Sequence, residues 1–301
     1  MSMKKTLHFR VSYRDKNMLL LAYLRKVMPS FPSLKAVKRV IEQKGCQING
    51  KTETYSTHPL REGDEIVFNA SLFANTAAKL EVPILYEDEE YVICNKPAGL
   101  VSEDKEFHKK LPKQYCEVTL VHRLDKETSG VIILAKSLEY KEKMVGLFLR
   151  QEVKKEYLTI VDGRVLPEEG VIESYLGKLS SAPGKVVFGT QKGKPDGKKV
   201  LGKLAVTAWK KCKVGPESSL LLCKPKTGRT HQIRIHLAEM NHAILGDDQY
   251  GKKIRCEHKF SRQLLHASQI EFTHPISKKI IRVEAHLPQD FVQAKKVLGL
   301  E

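Results

Sequence analysis

The chain has six cysteines in 301 residues and no pair of them in a Cys-x-x-Cys spacing. Cys46, Cys94, Cys116, Cys212, Cys223 and Cys256 are scattered, which excludes a zinc ribbon or compact disulfide framework and fits a reducing compartment. Acidic residues are the minority charge, with 35 Asp and Glu against 52 Lys and Arg. No apolar run approaches the ~20 residues of a membrane span. Met18 to Leu24 is short for a signal h-region, no small-residue cleavage site follows, and Arg25 ends it, so a cytoplasmic chain is expected. No P-loop and no Gly-x-Gly-x-x-Gly pattern occur. A clustered Asp, Glu and His set is missing too, which argues against a metal-dependent nuclease; no metal is expected.

What the chain does have is length and positive charge. With 41% apolar residues it can build one sizeable domain and a smaller one. A formal net charge of +17 concentrates polyanions around the protein, so RNA or DNA is the first partner to test. The plain alternative is an unspecific basic surface, because charge governs association rather than fold.

From Arg14 to about Val27, apolar residues Met18, Leu19, Ala22, Tyr23 and Val27 recur at helical spacing. Ser33 could cap a second helix bearing Leu34, Val37, Val40 and Ile41, which Gly45 can end. Cys46 to Ile48 then run into Asn49-Gly50, a strong hairpin dipeptide, and Asp64 to Phe68 reads as a closing strand. This order, with "SLKAVKRVIEQKGCQINGK" and "LREGDEIVF", resembles the alpha-L RNA-binding module. The module is expected over 1–70, followed by a linker over 71–81 and a larger domain over 82–301. In the larger domain, "VPILYEDEEYVICNKPAGL" suggests strands around a turn. Val131 to Ala135 is a buried-strand candidate, Ser137 can cap a helix carrying Tyr140, Met144, Leu147 and Phe148, and Val153 to Val161 alternates as a strand. Lys185 to Lys203, rich in lysine and glycine, reads as a basic loop.

The segment "VHRLDKETSGVIILAKS" puts Asp125 just before a Thr128-Ser129-Gly130 turn and an apolar strand, where a rigid element holds a loop residue. "HRLDKETSG", "NKPAGL" from Asn95, "KEY" from Lys155, "TGRTHQIRIHL" from Thr227, "LGDDQYG" from Leu245 and "RQLLHA" from Arg262 together resemble the RluA-type pseudouridine synthases of large ribosomal RNA and tRNA. The resemblance spans Val82 to Leu287. It implies an α+β catalytic domain on a mixed, largely antiparallel sheet, and an isomerisation that needs no cofactor.

By that resemblance Asp125 is the nucleophile, a carboxylate that can add to the nucleoside and later leave. Whether it attacks sugar or base stays open. Arg234 would pair with Asp125 and keep it ionised. Helical spacing puts His231 and Arg234 on one polar face, with Ile233, Leu237 and Met240 on the other. Strand alternation puts Val153, Lys155 and Tyr157 on one face, and Tyr157 resembles the family's active-site tyrosine, able to stack on uracil and help shuttle the C5 proton. Arg123 matches the residue that helps displace the target nucleotide, which must be flipped out to react. Lys155 and Arg229 join it as RNA-binding residues. His122, His231 and His266 are taken as hydrogen-bonded structural histidines without a catalytic role. The segment Val101 to Glu117 is shorter than in many relatives, so substrate selection can differ.

Each of these residue types has an ordinary use: a lone loop Asp is usually a turn former, and a strand Tyr is usually half-buried packing. The rival reading is a non-catalytic RNA-binding protein on the same fold. The intact set Asp125, Tyr157 and Arg234 argues for the enzyme. A monomer acting on structured RNA is expected, ribosomal RNA favoured over tRNA.

Overall fold

The computed structural model describes residues 6–28, 34–72, 82–182, 185–191, 202–251 and 254–301. The chain divides into two compact units, Met1–Leu80 and Glu81–Glu301. The first contains β1 (Thr6–Arg10), α1 (Leu20–Val27), α2 (Leu34–Glu42), β2 (Cys46–Ile48), β3 (Lys51–Thr52) and β4 (Glu65–Asn69). Its strands form an antiparallel sheet in the order β1-β4-β2-β3. Leu20 and Leu24 of α1 and Val37, Val40 and Ile41 of α2 pack with Cys46, Ile66 and Phe68. Asn49 and Gly50, at φ 52 and 76, make the left-handed pair that a tight hairpin needs and set Gln47 opposite Thr52.

Two boundaries differ from the periodicity. The first helix starts at Leu20 rather than near Arg14, because Tyr13–Asp15 form a 3-10 turn and Asn17 takes φ 67. Asp15 anchors that turn by accepting from Ser12 Oγ at 2.8 Å and Lys26 Nζ at 2.5 Å, a long-range tie invisible to local spacing. The closing strand begins at Glu65, since Asp64 is spent accepting from Arg61 N and Asn49 Nδ2, both at 2.8 Å. Ser33 and most of the expected linker, residues 73–81, lie outside the described residues.

In the second unit the strands are β5 (Ile84–Glu87), β6 (Tyr91–Lys96), β7 (Thr119–Leu120), β8 (Ser129–Ala135), β9 (Lys154–Asp162), β10 (Glu169–Ala182), β11 (Lys185–Thr190), β12 (Lys203–Val214), β13 (Ser218–Pro225), β14 (Leu265–Thr273) and β15 (Ile280–Glu284). The helices are α3 (Asp104–His108), α4 (Leu138–Leu149), α5 (Gln232–Glu239) and α6 (Gln289–Val297). All eleven strands join one sheet, in the order β11-β10-β12-β13-β9-β14-β8-β6-β5 with β7 on β8 and β15 on β14. Among the described pairs only β8 and β14 run parallel, so the architecture is mixed α+β with a largely antiparallel sheet.

Strand β8 is buried at every residue because both sheet faces are covered there. Ile132 and Leu134 join one core with Leu100 and Phe107, while Val131, Ile133 and Ala135 join another with Met144 and Phe272. Ser137 caps α4 by accepting from Tyr140 N. The expected basic loop is corrected in part: Lys185–Thr190 is a strand on β10, and its Phe188 packs against Leu176, Ala205 and Ile235. The lysines and glycines around it hid this apolar contribution. Residues 192–201 lie outside the described residues.

One register row fixes the spacing of the strands beneath Asp125: Gly130, Ala267, Tyr157 and Cys223 lie side by side on β8, β14, β9 and β13. Gly130 has φ 118, and a Cβ there would fall 2.1 Å from the Ala267 carbonyl oxygen. Only glycine fits both constraints. Gly130→Ala is expected to destabilise the protein by more than about 2 kcal/mol, read as a thermal midpoint lowered by roughly 5 °C or more. A midpoint within about 1 °C of wild type would contradict this close approach.

Candidate active site

Asp125 lies in a loop that enters β8, and the residues after it are tied to two other segments, 96–99 and 262–266. The turn is Lys126-Glu127, closed by Thr128 N donating to Asp125 O at 3.0 Å; Ser129 and Gly130 already belong to the strand. The Lys126 carbonyl accepts from Gly99 N at 2.8 Å and from Lys96 Nζ at 3.0 Å. Lys96 is fully buried and also donates to Leu100 O and Pro97 O, and burial pushes its ammonium down to about 7. Glu127 O accepts from Arg262 Nη1, Thr128 Oγ1 from Gln263 Nε2, and Ser129 Oγ meets His266 Nδ1. Asp125 thus stands on a loop with little freedom to drift.

Its partner comes from α5. Arg234 Nη1 donates to Asp125 Oδ2 at 3.0 Å. The other edge of the guanidinium is held by Asp247, Nε to Oδ2 at 2.7 Å and Nη2 to Oδ1 at 3.0 Å. Burial works against the Arg234 charge, but the hydrogen bonds and charge of Asp247, then of Asp125, hold its pKa above the ordinary value. Asp247 is itself oriented by Gln249 N and Tyr250 N, and the Tyr250 ring lies 5.0 Å from Arg234 Cζ. Gly246 makes the approach possible at φ 80, where a Cβ would meet Arg262 O at 1.9 Å.

Helix α5 has little exposed face: Arg234, expected on its polar side, is buried together with the apolar residues on the other side. Gln232 to Leu237 are all buried, and Arg234 is 7% exposed. His231 precedes the helix as its N-cap, in the left-handed region at φ 56. Gln232 secures the entry by accepting from Thr227 Oγ1 and Arg229 N and donating to Val206 O and Thr207 Oγ1.

A cavity of about 400 Å³ opens over Asp125, and Arg123, Lys155, Tyr157, Arg229 and Arg234 all line it. The site residues expected from the sequence therefore meet at one place. Burial first, and the Asp125 charge second, push the Tyr157 phenol well above its ordinary pKa, so it is a neutral ring at physiological pH. Burial lowers the Lys155 ammonium, whose Nζ lies 5.9 Å from the Phe148 ring centre. Arg123 is exposed, and Arg229 is tethered by Nε to Leu204 O. His122 is pushed down to about 3 by burial and accepts from Ile133 N; His266 is pushed down to about 4. Lys96, Gln232, Asp247 and Tyr250 also build the site, although sequence pattern does not single them out. All four lie within the family-like motifs, but nothing local separates Asp247, 3% exposed, from its exposed neighbour Asp248.

Among the described residues two groups could in geometry hold a metal, Glu217 with Cys256 and His258, and Asp88 with Glu90 and His274, and neither lines this cavity. His274 Nδ1 accepts from Ile276 N and Ser277 N, which leaves its proton on Nε2 facing the two carboxylates. A second cavity of about 440 Å³, beside α4 and His274, is lined by Lys143 and Arg150, paired with Glu139 and Glu152, and by Lys278, which donates to Pro275 O. No helix is long and apolar enough to cross a membrane among the described residues.

A family model described as RNA pseudouridylate synthase matches residues 90–239. The chain belongs to that family, in its RluA type, and is an isomerase by class. Among its relatives, the ribosomal large subunit pseudouridine synthase C of Buchnera aphidicola is 32% identical, over 95% of this chain and 96% of that protein. The ribosomal large subunit pseudouridine synthase D of Neisseria meningitidis serogroup A is 33% identical, over 74% of this chain and 62% of that one. Of solved structures, human RNA Pseudouridylate Synthase Domain Containing 4 matches with a TM-score of 0.59 and 25% identity, covering 73% of this chain and 94% of that chain.

Breaking the buried pair behind Asp125 should be costly. Asp247→Ala removes two of the three hydrogen bonds that Arg234 makes to carboxylates and is expected to cost about 3–5 kcal/mol in chemical denaturation. A loss under about 1 kcal/mol would show that Arg234 finds compensation elsewhere.

Proposed function

We propose that this protein isomerises specific uridines of large-subunit ribosomal RNA to pseudouridine, with Asp125 as nucleophile. The observation that carries the reading is the Asp125 carboxylate, one oxygen held by Arg234, on a residue that lines a cavity together with Tyr157. In the reaction the bond between C1′ and N1 breaks, the uracil turns, C5 bonds to C1′, and C5 gives up its proton while N1 regains one. Atoms and electrons balance within the nucleoside, so the chemistry asks for no redox partner or nucleotide cofactor.

Each side chain takes a physical role in this scheme. Asp125 adds to the nucleoside and later departs; Arg234 balances its charge at both stages. Tyr157, a neutral phenol on a strand face, stacks on the uracil and helps move the C5 proton. Arg123, exposed at the cavity, fills the space of the flipped nucleotide, and Lys155 and Arg229 meet the RNA backbone. The names of the Buchnera and Neisseria relatives support ribosomal RNA over tRNA.

The first unit serves in this reading as an alpha-L RNA-binding module, spanning residues 1–70 before a linker and the catalytic domain of 82–301. Its helix pair packed on a small hairpin sheet supports that assignment. The protein acts as a cytoplasmic monomer, in keeping with six free cysteines.

Pseudouridine mapping in cells with and without the gene tests the substrate. Loss of signal at one or more large-subunit positions is expected, and loss confined to tRNA would overturn the ribosomal assignment. Purified Asp125→Asn should lose turnover by at least about 1000-fold while binding RNA within about threefold of wild type. Turnover near wild type would refute Asp125 as nucleophile.

A further inference from the structure

His231 falls within the "TGRTHQIRIHL" motif, and the proposed scheme gives it no task. Its backbone is in the left-handed region, φ 56 and ψ 20, an uncommon conformation for a residue with a side chain. Such a conformation costs free energy and persists only where the surroundings enforce it. Here they do: the Gln232 network fixes the residue after it, and Ile235 N bonds the His231 carbonyl. The ring is packed edge-on between Phe188 at 6.0 Å and Tyr250 at 5.6 Å, centroid to centroid. Rotation out of place is blocked on two sides.

The two ring nitrogens have different neighbours. Nδ1 lies 2.9 Å from the Tyr250 hydroxyl, and Nε2 lies 3.8 Å from Asp125 Oδ1. A carboxylate favours a proton on the nitrogen that faces it, so Nε2 carries the hydrogen and Nδ1 accepts from Tyr250. Asp125 Oδ2 is taken by Arg234, and among the described residues no hydrogen bond reaches Oδ1. Oδ1 is therefore the oxygen free to react, and the N–H dipole of His231 is what faces it. At 3.8 Å the contact is too long for a hydrogen bond, so it orients Oδ1 without consuming its lone pairs.

We propose that His231 is a positioning residue for the reaction, a tautomer-locked donor, set by Tyr250, that aims the unbonded oxygen Oδ1 of Asp125 at the nucleoside and takes up its returning charge. This rests on the reading of Asp125 as nucleophile. When Oδ1 bonds to the nucleoside carbon, its electron pair enters the new bond, Asp125 becomes a neutral ester, and the negative charge passes to the uracil. When that bond breaks, the electron pair returns to Oδ1 and meets the Nε2–H. Both moments belong to the chemical step rather than to RNA capture, so the effect falls on kcat.

The test measures kcat and KM on one uridine-containing RNA for His231→Asn, His231→Phe, Tyr250→Phe, the double variant His231→Phe with Tyr250→Phe, and Asp125→Asn. Asparagine tolerates the left-handed backbone but cannot reach Asp125, whereas phenylalanine keeps the ring packing and lacks both nitrogens. Both His231 variants should lose about 10-fold or more in kcat with KM changed by less than about threefold. Tyr250→Phe, which frees the tautomer, should lose less, and adding it to His231→Phe should cost nothing further. Either His231 variant within about twofold of wild type in kcat, a loss confined to KM, or multiplying losses in the double variant would overturn the proposal. An inactive Asp125→Asn beside active His231 variants refutes this proposal alone; an active Asp125→Asn refutes the nucleophile reading and this proposal with it.

Discussion

Arg234 carries a full positive charge at 7% exposure, and a guanidinium can be taken that far from water only if its donors find anionic partners in good geometry. Asp247 supplies the two-pronged match on one edge, and Asp125 supplies a single contact on the other. The asymmetry matters. Asp247 is 3% exposed, its Oδ1 also held by two backbone N–H groups, and it acts as a fixed counter-ion, whereas Asp125 keeps one oxygen outside the arrangement. A planar fork can satisfy both demands at once, and an ammonium cannot. Placing that fork requires α5 to be buried from Gln232 to Leu237, which in turn requires the Gln232 network at its entry and glycine at position 246 where the Asp247 loop crosses Arg262 O.

The other half of the site is the loop of Asp125, and its precision comes from the sheet. The parallel pairing of β8 with β14 brings two strand starts side by side, so Arg262, Gln263 and His266, around the start of β14, reach Glu127, Thr128 and Ser129 at the entry to β8. Lys96 closes the loop from the β6 side with a buried hydrogen bond from Nζ to Lys126 O. The same row that forces glycine at 130 carries Tyr157 two strands away, so the phenol and the carboxylate are spaced by backbone register rather than by flexible side chains. A site held this way agrees with the general need to fix reacting groups on rigid elements.

Legibility in the sequence depends on the range of the interaction. Alternation along 153–157 puts Val153, Lys155 and Tyr157 on one face; Lys155 and Tyr157 line one cavity, whereas Val153 precedes the strand and is buried in the core with Met144 and Phe272, and the hairpin at Asn49-Gly50 follows from its dipeptide. Helical periodicity separates Arg234 from Ile233 and Leu237 in α5 but does not show that both faces are covered, because the partners of Arg234 and Gln232 are distant in the chain. It fails near Asn17, where the contacts that interrupt the helix come from Lys26 and Leu60. Lys185–Thr190 read as loop because lysine and glycine outweighed a strand pattern completed only by pairing with β10. Asp247 and Lys96 were hidden for a related reason: a buried charge is recognisable only through its partners.

The site turns on the geometry of the Arg234 fork, so the most direct measurement is the single-turnover rate of pseudouridine formation by Arg234→Lys, with folding and RNA affinity followed in parallel. Lysine keeps the charge and loses the two-edged planar contact. The rate is predicted to fall by at least about 100-fold, with RNA affinity within about threefold of wild type and the fold preserved by circular dichroism. A rate within about threefold of wild type would mean that positive charge alone suffices, and the fork would not be the constraint around which the site is built.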